Sequence, residues 1–322
     1  MSQDLSDPDE VPSRKDLLDI ESLSVSEIRY LLDTAKPFKN LFKKSVKKVP
    51  TLRGKSVLNL FYEPSTRTSS SFEVAETRLS ADITNFTVSS SSVVKGESLL
   101  DTIDTLHAMR TDYIVIRHQA AGVPALVARH TGASVLNAGD GYHAHPTQAL
   151  LDAFTFREKF PDMAGRKVIV IGDILHSRVA RSTSTIFHKL GMEVAVMGPG
   201  SLVPKNRHPF MQRLRSWEEV FDWKPDAIYL LRVQFERQEG QFFPGIAEYH
   251  NRYGLTLERL ESLRKSGTYL MHPGPVNRGV ELVNEAMEYE KSLISQQVEN
   301  GIAVRMAALY WLKPETEESL TR

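Results

Sequence analysis

The chain of 322 residues has no cysteine, which excludes disulfides, thiolate metal sites and a thiol nucleophile. It also has no net charge: 40 Lys and Arg balance 40 Asp and Glu, leaving no bulk field to draw it to nucleic acid or an anionic membrane. No stretch approaches the ~18 uninterrupted apolar residues of a membrane span. Residues Met1 to Arg14 are acidic and polar and lack the apolar core of a secretion signal. These absences predict a cytoplasmic protein with no nucleic-acid or membrane partner, and a flexible leader over residues 1–14. No repeat of fixed period is evident, and low complexity is confined to the short run Ser89 to Ser92. What remains is ordinary: 41% hydrophobic and 25% charged residues, too balanced for a disordered chain, over a length that favours two domains.

Ser24 and Glu27 have capping-box spacing ahead of Ile28, Leu31, Leu32 and Ala35, so the first packed element is expected to be a helix. The basic run Lys39, Lys43, Lys44, Lys47 and Lys48 reads as a solvated face. Short apolar runs then recur at 57–62, 113–116, 134–136, 168–171, 194–197, 227–231 and 269–271. Amphipathic segments separate them, for example Leu99, Leu100, Ile103, Leu106 and Met109 on one helical face. Strands alternating with helices predict an α/β fold of two domains, each a mainly parallel sheet flanked by helices. The junction is expected near 145–165, where a helix opening at Pro146 runs into Pro161 and Gly165. Ligands of such sheets bind at the carboxyl ends of strands, which selects the residues to examine.

After the first run come Glu63, Pro64, Ser65, Thr66, Arg67, Thr68 and Ser69. Hydroxyls, one guanidinium and the free N–H groups of a helix start make an anion cradle suited to phosphate, or else an ordinary capped helix with an exposed arginine. The GxxxxGK[ST] pattern of a P-loop is missing. Arg117 directly follows Ile116 at a strand end, facing a cleft or plain solvent. Residues Asn137 to Gly141 read as a turn-rich loop leading to His143, Ala144, His145, Pro146, Thr147 and Gln148. Proline suits the first helical position, which puts His145 at the N-cap and Gln148 one turn inside on the same side. Both could converge on a carbonyl-bearing group, or serve as a capping histidine and a structural glutamine. His143, His145 and Asp140 do not make a complete metal ligand set.

In the second half the run 168–171 ends in Gly172 and Asp173, and Arg178 opens a helix that Gly191 stops. A dinucleotide loop needs GxGxxG here and only Gly172 is present, which argues against NAD. Arg232, Val233 and Gln234 follow another run, and His272, Pro273, Gly274 and Pro275 form a stiff turn after the last. Four arginines near strand ends, Arg67, Arg117, Arg178 and Arg232, suit substrates bearing phosphate and carboxylates.

These segments resemble the aspartate/ornithine carbamoyltransferase family, and within it the aspartate carbamoyltransferase catalytic chains, over about residues 15–315. The carrying motifs are FYEPSTRTSSSFEVAETRL (61–79), VVKGESLLDT (93–102), IRH (116–118), NAGDGYHAHPTQALLDAF (137–154), GDILHSRVARS (172–182), LLRVQFER (230–237), HPGPVNRGVE (272–281) and ENGIAVRMA (299–307). The resemblance implies a carbamoyl phosphate domain over 15–147, an aspartate domain over 148–292, and a C-terminal helix of about 293–322 returning to the first.

It further implies roles by position. Ser65, Thr66, Arg67 and Thr68 would hold the phosphate of carbamoyl phosphate, with Arg117 bridging phosphate and carbamoyl oxygen. His145 would bind that oxygen, and Gln148 with the Gly274 carbonyl, beside Pro275, the carbamoyl amino group. Arg178 and Arg232, supported by Gln234, would bind the carboxylates of L-aspartate. Ser91 or Ser92, together with Lys95, would enter the neighbouring subunit's site, so that Arg67, Arg117, His145 and a borrowed Lys95 act at the reacting centre of a homotrimer. No cofactor or metal is implied; a regulatory chain or a dihydroorotase-like partner stays open. Two departures stand out. Ser69 occupies a usual arginine position, so a structural ion pair is expected to be replaced while ligand contacts survive. Gly274 stands where many relatives have leucine, and an ornithine enzyme would carry cysteine there in an HCLP motif. Arg178 and Arg232 favour a dicarboxylate acceptor.

Overall fold

A computed structural model describes residues 12–45, 47–87, 102–103, 105, 108, 110–205, 209–233 and 245–315. The chain divides into two compact units, Met1–Gly141 with Ile302–Arg322, and Tyr142–Gly301.

The first unit opens on α1 (Val25–Leu41), started by the expected capping box: Ser24 Oγ accepts from the Glu27 N–H and Glu27 Oε2 accepts from the Ser24 N–H, at 3.2 and 2.7 Å. Its buried face is Ile28, Leu31, Leu32 and Ala35. Four parallel strands follow: β1 (Ser56–Phe61), β2 (Asp82–Thr87), β3 (Tyr113–His118) and β4 (Ser134–Asp140), in the order β2-β1-β3-β4. Between them lie α2 (Thr66–Arg78) and α3 (Val123–His130). Leu58, Leu60, Ile114, Ile116, Val127 and Val135 form the core against the sheet. Of the helical face proposed around 99–109, Leu99, Leu100, Leu106 and Met109 lie outside the described residues, and Ile103 joins this core.

Two readings change here. Arg117 is not beyond the strand but inside β3, and 137–140 is not a loop but the end of β4. The cause is a register irregularity: Ile116 pairs with Asn137 while His118 pairs with Asp140, so Ala138 and Gly139 together face Arg117. The polar residues survive in the strand because each finds a partner inside the unit. Asn137 Nδ2 donates to the Leu18 carbonyl and to Asp140 Oδ1, and Asp140 Oδ2 accepts from the Gly122 N–H.

In the second unit, α4 (Pro146–Arg157) is buried on every side from Pro146 to Phe156, and its polar Gln148, Asp152 and Thr155 are hydrogen-bonded there. Then come β5 (Lys167–Ile171), α5 (Arg178–Lys189), β6 (Glu193–Met197), β7 (Met211–Arg213), α6 (Trp217–Trp223), β8 (Ala227–Leu230), α7 (Ile246–Tyr253), α8 (Leu257–Ser266) and β9 (Tyr269–Met271). The sheet is fully parallel, ordered β7-β6-β5-β8-β9. Ile169, Ile171, Met197, Ile228, Leu230 and Leu270 lie at its core. Gly172 has φ +139°, and a Cβ there would stand 2.9 Å from the Leu231 Cβ. The lone glycine after β5 is thus needed for close approach of two strand ends.

The last helix, α9 (Ile294–Trp311), ends in the first unit. Arg305 Nη1 donates to Ser71 Oγ at 2.9 Å and its guanidinium lies over the Phe72 ring, while Tyr113 OH donates to the Leu312 carbonyl. No helix among the described residues is long and apolar enough to cross a membrane.

Candidate active-site residues

The first unit presents its candidates at the carboxyl ends of β1 and β3. Ser65 is the N-cap of α2, its hydroxyl accepting from the Thr68 N–H at 3.4 Å. Thr66 and Arg67 follow as exposed first-turn residues and Thr68 is buried. No acidic residue occupies that first turn, so the positive end of the helix dipole is left for an external anion. Ser69 Oγ donates to the carbonyls of Ser65 and Thr66 at 2.9 and 3.2 Å, so this hydroxyl folds back on its own helix.

Arg117 is only 8% exposed. Its Nη1 donates to the Ala138 carbonyl at 3.2 Å and its Nη2 to Glu63 Oε1 at 3.3 Å. The strand register brings these together, because the Tyr62 N–H donates to the Arg117 carbonyl and thereby aligns the start of the Glu63 segment with β3. Sequence reasoning did not single out Glu63. Its signal was available: a carboxylate two residues before the cap, beside a parallel strand whose corresponding end carries an arginine.

The second unit holds the remaining described candidates. His145 is the N-cap of α4, yet its side chain makes no capping bond; its backbone N–H donates to Ser182 Oγ at 3.0 Å. The imidazole is buried. Gln148 sits one turn inside, its Nε2 donating to Asp152 Oδ1 at 2.9 Å. Asp152 also accepts from Gln297 Nε2, Thr183 Oγ1 and Tyr229 OH. Burial pushes its carboxyl up to about 7, although the four donors oppose that shift. This carboxylate, too, escaped the sequence reading. It lies four residues beyond Gln148 on α4, on the same helical face, a spacing that can be read from the sequence.

Arg178 is the first residue of α5, nearly buried, and Ser177 Oγ caps that helix by accepting from the Ala180 N–H. A cation at a helix N-terminus works against the macrodipole, so helix stability does not explain the arginine. Arg232 follows β8, which pairs directly with β5. The two arginines thus follow paired strands, Arg232 directly and Arg178 by way of the connection 172–177 and the helix start. The segment after Arg232 is held by Glu281, whose Oε1 accepts from the Val233 N–H at 2.7 Å and whose Oε2 accepts from the Asn277 N–H at 2.7 Å. Burial raises the Glu281 carboxyl above its ordinary range. After β9, the buried His272 accepts at Nδ1 from the Gly274 N–H, and Gly274 has φ +66° before a cis bond to Pro275. Ser91, Ser92, Lys95 and Gln234 lie outside the described residues.

Set beside known proteins, residues 15–158 match the carbamoyl-phosphate-binding domain of aspartate/ornithine carbamoyltransferases, and residues 164–312 match the Asp/Orn-binding domain. The chain belongs to the aspartate/ornithine carbamoyltransferase family. Among its relatives, the aspartate carbamoyltransferase catalytic subunit of Akkermansia muciniphila is 64% identical over 94% of this chain and 98% of that protein. The catalytic subunit of the same name from Halothermothrix orenii is 50% identical over 93% and 95%. Aspartate transcarbamoylase from Trypanosoma cruzi, solved in complex with N-(phosphonacetyl)-L-aspartic acid, superposes with a TM-score of 0.82 at 27% identity over 94% and 96%. The catalytic subunit of M. jannaschii aspartate transcarbamoylase gives 0.78 at 31% over 92% and 97%.

Proposed function

We propose that the chain is an aspartate carbamoyltransferase, moving the carbamoyl group of carbamoyl phosphate to the amino group of L-aspartate and releasing N-carbamoyl-L-aspartate and phosphate. Family membership alone leaves the acceptor open between aspartate and ornithine. The observation that carries the choice is the pair of arginines in the connections that follow two paired strands, Arg178 at the start of the helix after β5 and Arg232 just after β8, a cation for each carboxylate of a dicarboxylate. The names of the relatives agree with it.

In this reading the first turn of α2, with Ser65, Thr66, Arg67 and Thr68, holds the phosphate. Arg117 touches phosphate and carbamoyl oxygen, and His145 donates to that oxygen. Gln148 and the Gly274 carbonyl, beside Pro275, accept from the carbamoyl amino group. The deprotonated aspartate amine attacks the carbamoyl carbon and forms a tetrahedral intermediate. The C–O bond to phosphate then breaks, and the departing phosphate takes the amine proton. No protein nucleophile is needed. The residues contribute orientation and donors aimed where negative charge develops on the carbamoyl oxygen.

The same reading makes the working unit a cytoplasmic homotrimer in pyrimidine biosynthesis, each site completed by Lys95 and Ser91 or Ser92 of a neighbouring subunit, with Gln234 supporting the aspartate. A regulatory chain or dihydroorotase-like partner is compatible with it. The direct test incubates the purified chain with carbamoyl phosphate and either aspartate or ornithine and identifies the product. Carbamoyl aspartate is expected; citrulline, or no product from an intact oligomer with any partner restored, would overturn the assignment.

A further inference from the structure

We propose that Asp152 and Gln297 are positioning residues that fix the direction of the Gln148 side-chain amide, presenting its oxygen to the amino group of the carbamoyl donor and so selecting carbamoyl over acetyl phosphate. The inference rests on the reading of Gln148 as a ligand of that amino group.

A backbone N–H can only donate, and the His272 N–H points at Gln297 at 3.0 Å, so the Gln297 atom facing it is the carbonyl oxygen, Oε1. The planar amide then turns Nε2 to the other side, where it donates to Asp152 Oδ1 at 2.8 Å. Asp152 Oδ1 is thereby an acceptor, and the Gln148 atom 2.9 Å from it is the amide nitrogen. Gln148 Oε1 is left on the side of the amide turned away from Asp152. Reversing the amide would set Oε1 against Oδ1, acceptor against acceptor, in a fully buried place.

The polarity does not depend on the charge of Asp152. Its Oδ2 faces the hydroxyls of Thr183 and Tyr229 at 2.9 and 2.8 Å, and either can accept as well as donate. A proton taken up by this carboxyl is accommodated on Oδ2, and Oδ1 goes on accepting from both glutamines. The far end of the relay is also informative. His272 opens the turn whose Gly274 carbonyl is the second acceptor assigned to the carbamoyl amino group, and the Gly274 N–H is held by His272 Nδ1. One buried network thus orients both acceptors. A donor with a methyl in place of the amino group leaves both unpaired, which is the situation in which a polar site discriminates most strongly.

The test compares kcat/KM for carbamoyl phosphate and for acetyl phosphate, with saturating aspartate and the intact oligomer. Gln297→Glu keeps an acceptor for the His272 N–H but turns an oxygen toward Asp152; Asp152→Leu removes the acceptor; Asp152→Asn keeps an oxygen for the two glutamines. The expected result is a carbamoyl-to-acetyl ratio at least about tenfold lower in Gln297→Glu and Asp152→Leu, and restored in Asp152→Asn. Equal loss for both donors, or an unchanged ratio in Gln297→Glu, overturns the proposal. Should Asp152→Leu fail to fold by its thermal transition, the other two variants decide. Wild-type protein that makes no carbamoyl aspartate would instead refute the underlying functional reading.

Discussion

Glu63 Oε1 accepts a hydrogen bond from Arg117 Nη2 at 3.3 Å, on an arginine whose other terminal nitrogen is tied to the Ala138 carbonyl. A nearly buried guanidinium held from two sides has little freedom to turn, so the carboxylate fixes its direction. Glu63→Ala is expected to raise the KM for carbamoyl phosphate about tenfold or more, the scale of one charge-assisted hydrogen bond. Glu63→Gln, which keeps an acceptor, should have the smaller effect. Steady-state kinetics of the two variants check this, and equal, wild-type values would remove Glu63 from the site.

Arg67→Ala and Arg117→Ala should each lower turnover by orders of magnitude, because each removes a cation proposed to act on the group whose charge develops in the transition state. Near-wild-type activity in Arg67→Ala would sink the phosphate assignment of the α2 start.

Arg178→Ala and Arg232→Ala are expected to act on the acceptor. A rise of about 10- to 100-fold in the KM for aspartate should accompany a nearly unchanged affinity for inorganic phosphate, measured by calorimetry. Weakening of phosphate to the same degree would point to a general collapse rather than to lost carboxylate ligands.

The two most buried carboxyls should leave a mark on stability. Burial pushes Asp152 and Glu76 each up to about 7 in the native protein, against ordinary values of 3.8 and 4.5. The folded state therefore holds protons that the unfolded chain has released, and stability should fall as pH rises from about 4 to about 7, then level off. Asp152→Asn and Glu76→Gln should each flatten that slope in thermal melts taken across the range. A slope as steep as wild type in both variants would contradict the burial of ionisable protons there.

Mixing Lys95→Ala chains with His145→Ala chains tests site sharing. Activity regained after dissociation and reassembly is expected, since some mixed sites then hold both residues; no recovery would place Lys95 in its own chain's site.

Most of the architecture is legible in the sequence because parallel strands buried on both faces appear as continuous apolar runs, and seven of these coincide with strands. Two strands were missed for one reason. β2, reading Asp-Ile-Thr-Asn-Phe-Thr, and β7, only Met-Gln-Arg, lie at the edges of their sheets, where a strand needs little apolar content. The reading of 137–140 as a loop failed because Asn, Gly and Asp usually mark turns, whereas here the Asn137 side chain donates to Asp140 Oδ1 and accepts from the Gly139 N–H within the strand's end. The residues proposed to touch ligands announce themselves as charge or hydroxyl after an apolar run. Glu63, Asp152 and Gln297 are harder to find because what matters in them is the partner each one faces, and Gln297 is 145 positions from Asp152.

The sheet of the first unit is complete at Asp140, yet Met306, Ala307, Ala308, Leu309, Trp311 and Leu312 are all buried and the Leu312 carbonyl is the partner of Tyr113. On the ribosome that sheet emerges long before its last helix. For the intervening stretch of synthesis, the face that α9 will cover stays open to other chains and to chaperones. The helix α9 thus acts as a latch on structure made at the beginning, and a premature stop near residue 300 would leave an unfinished first unit rather than a shortened second one.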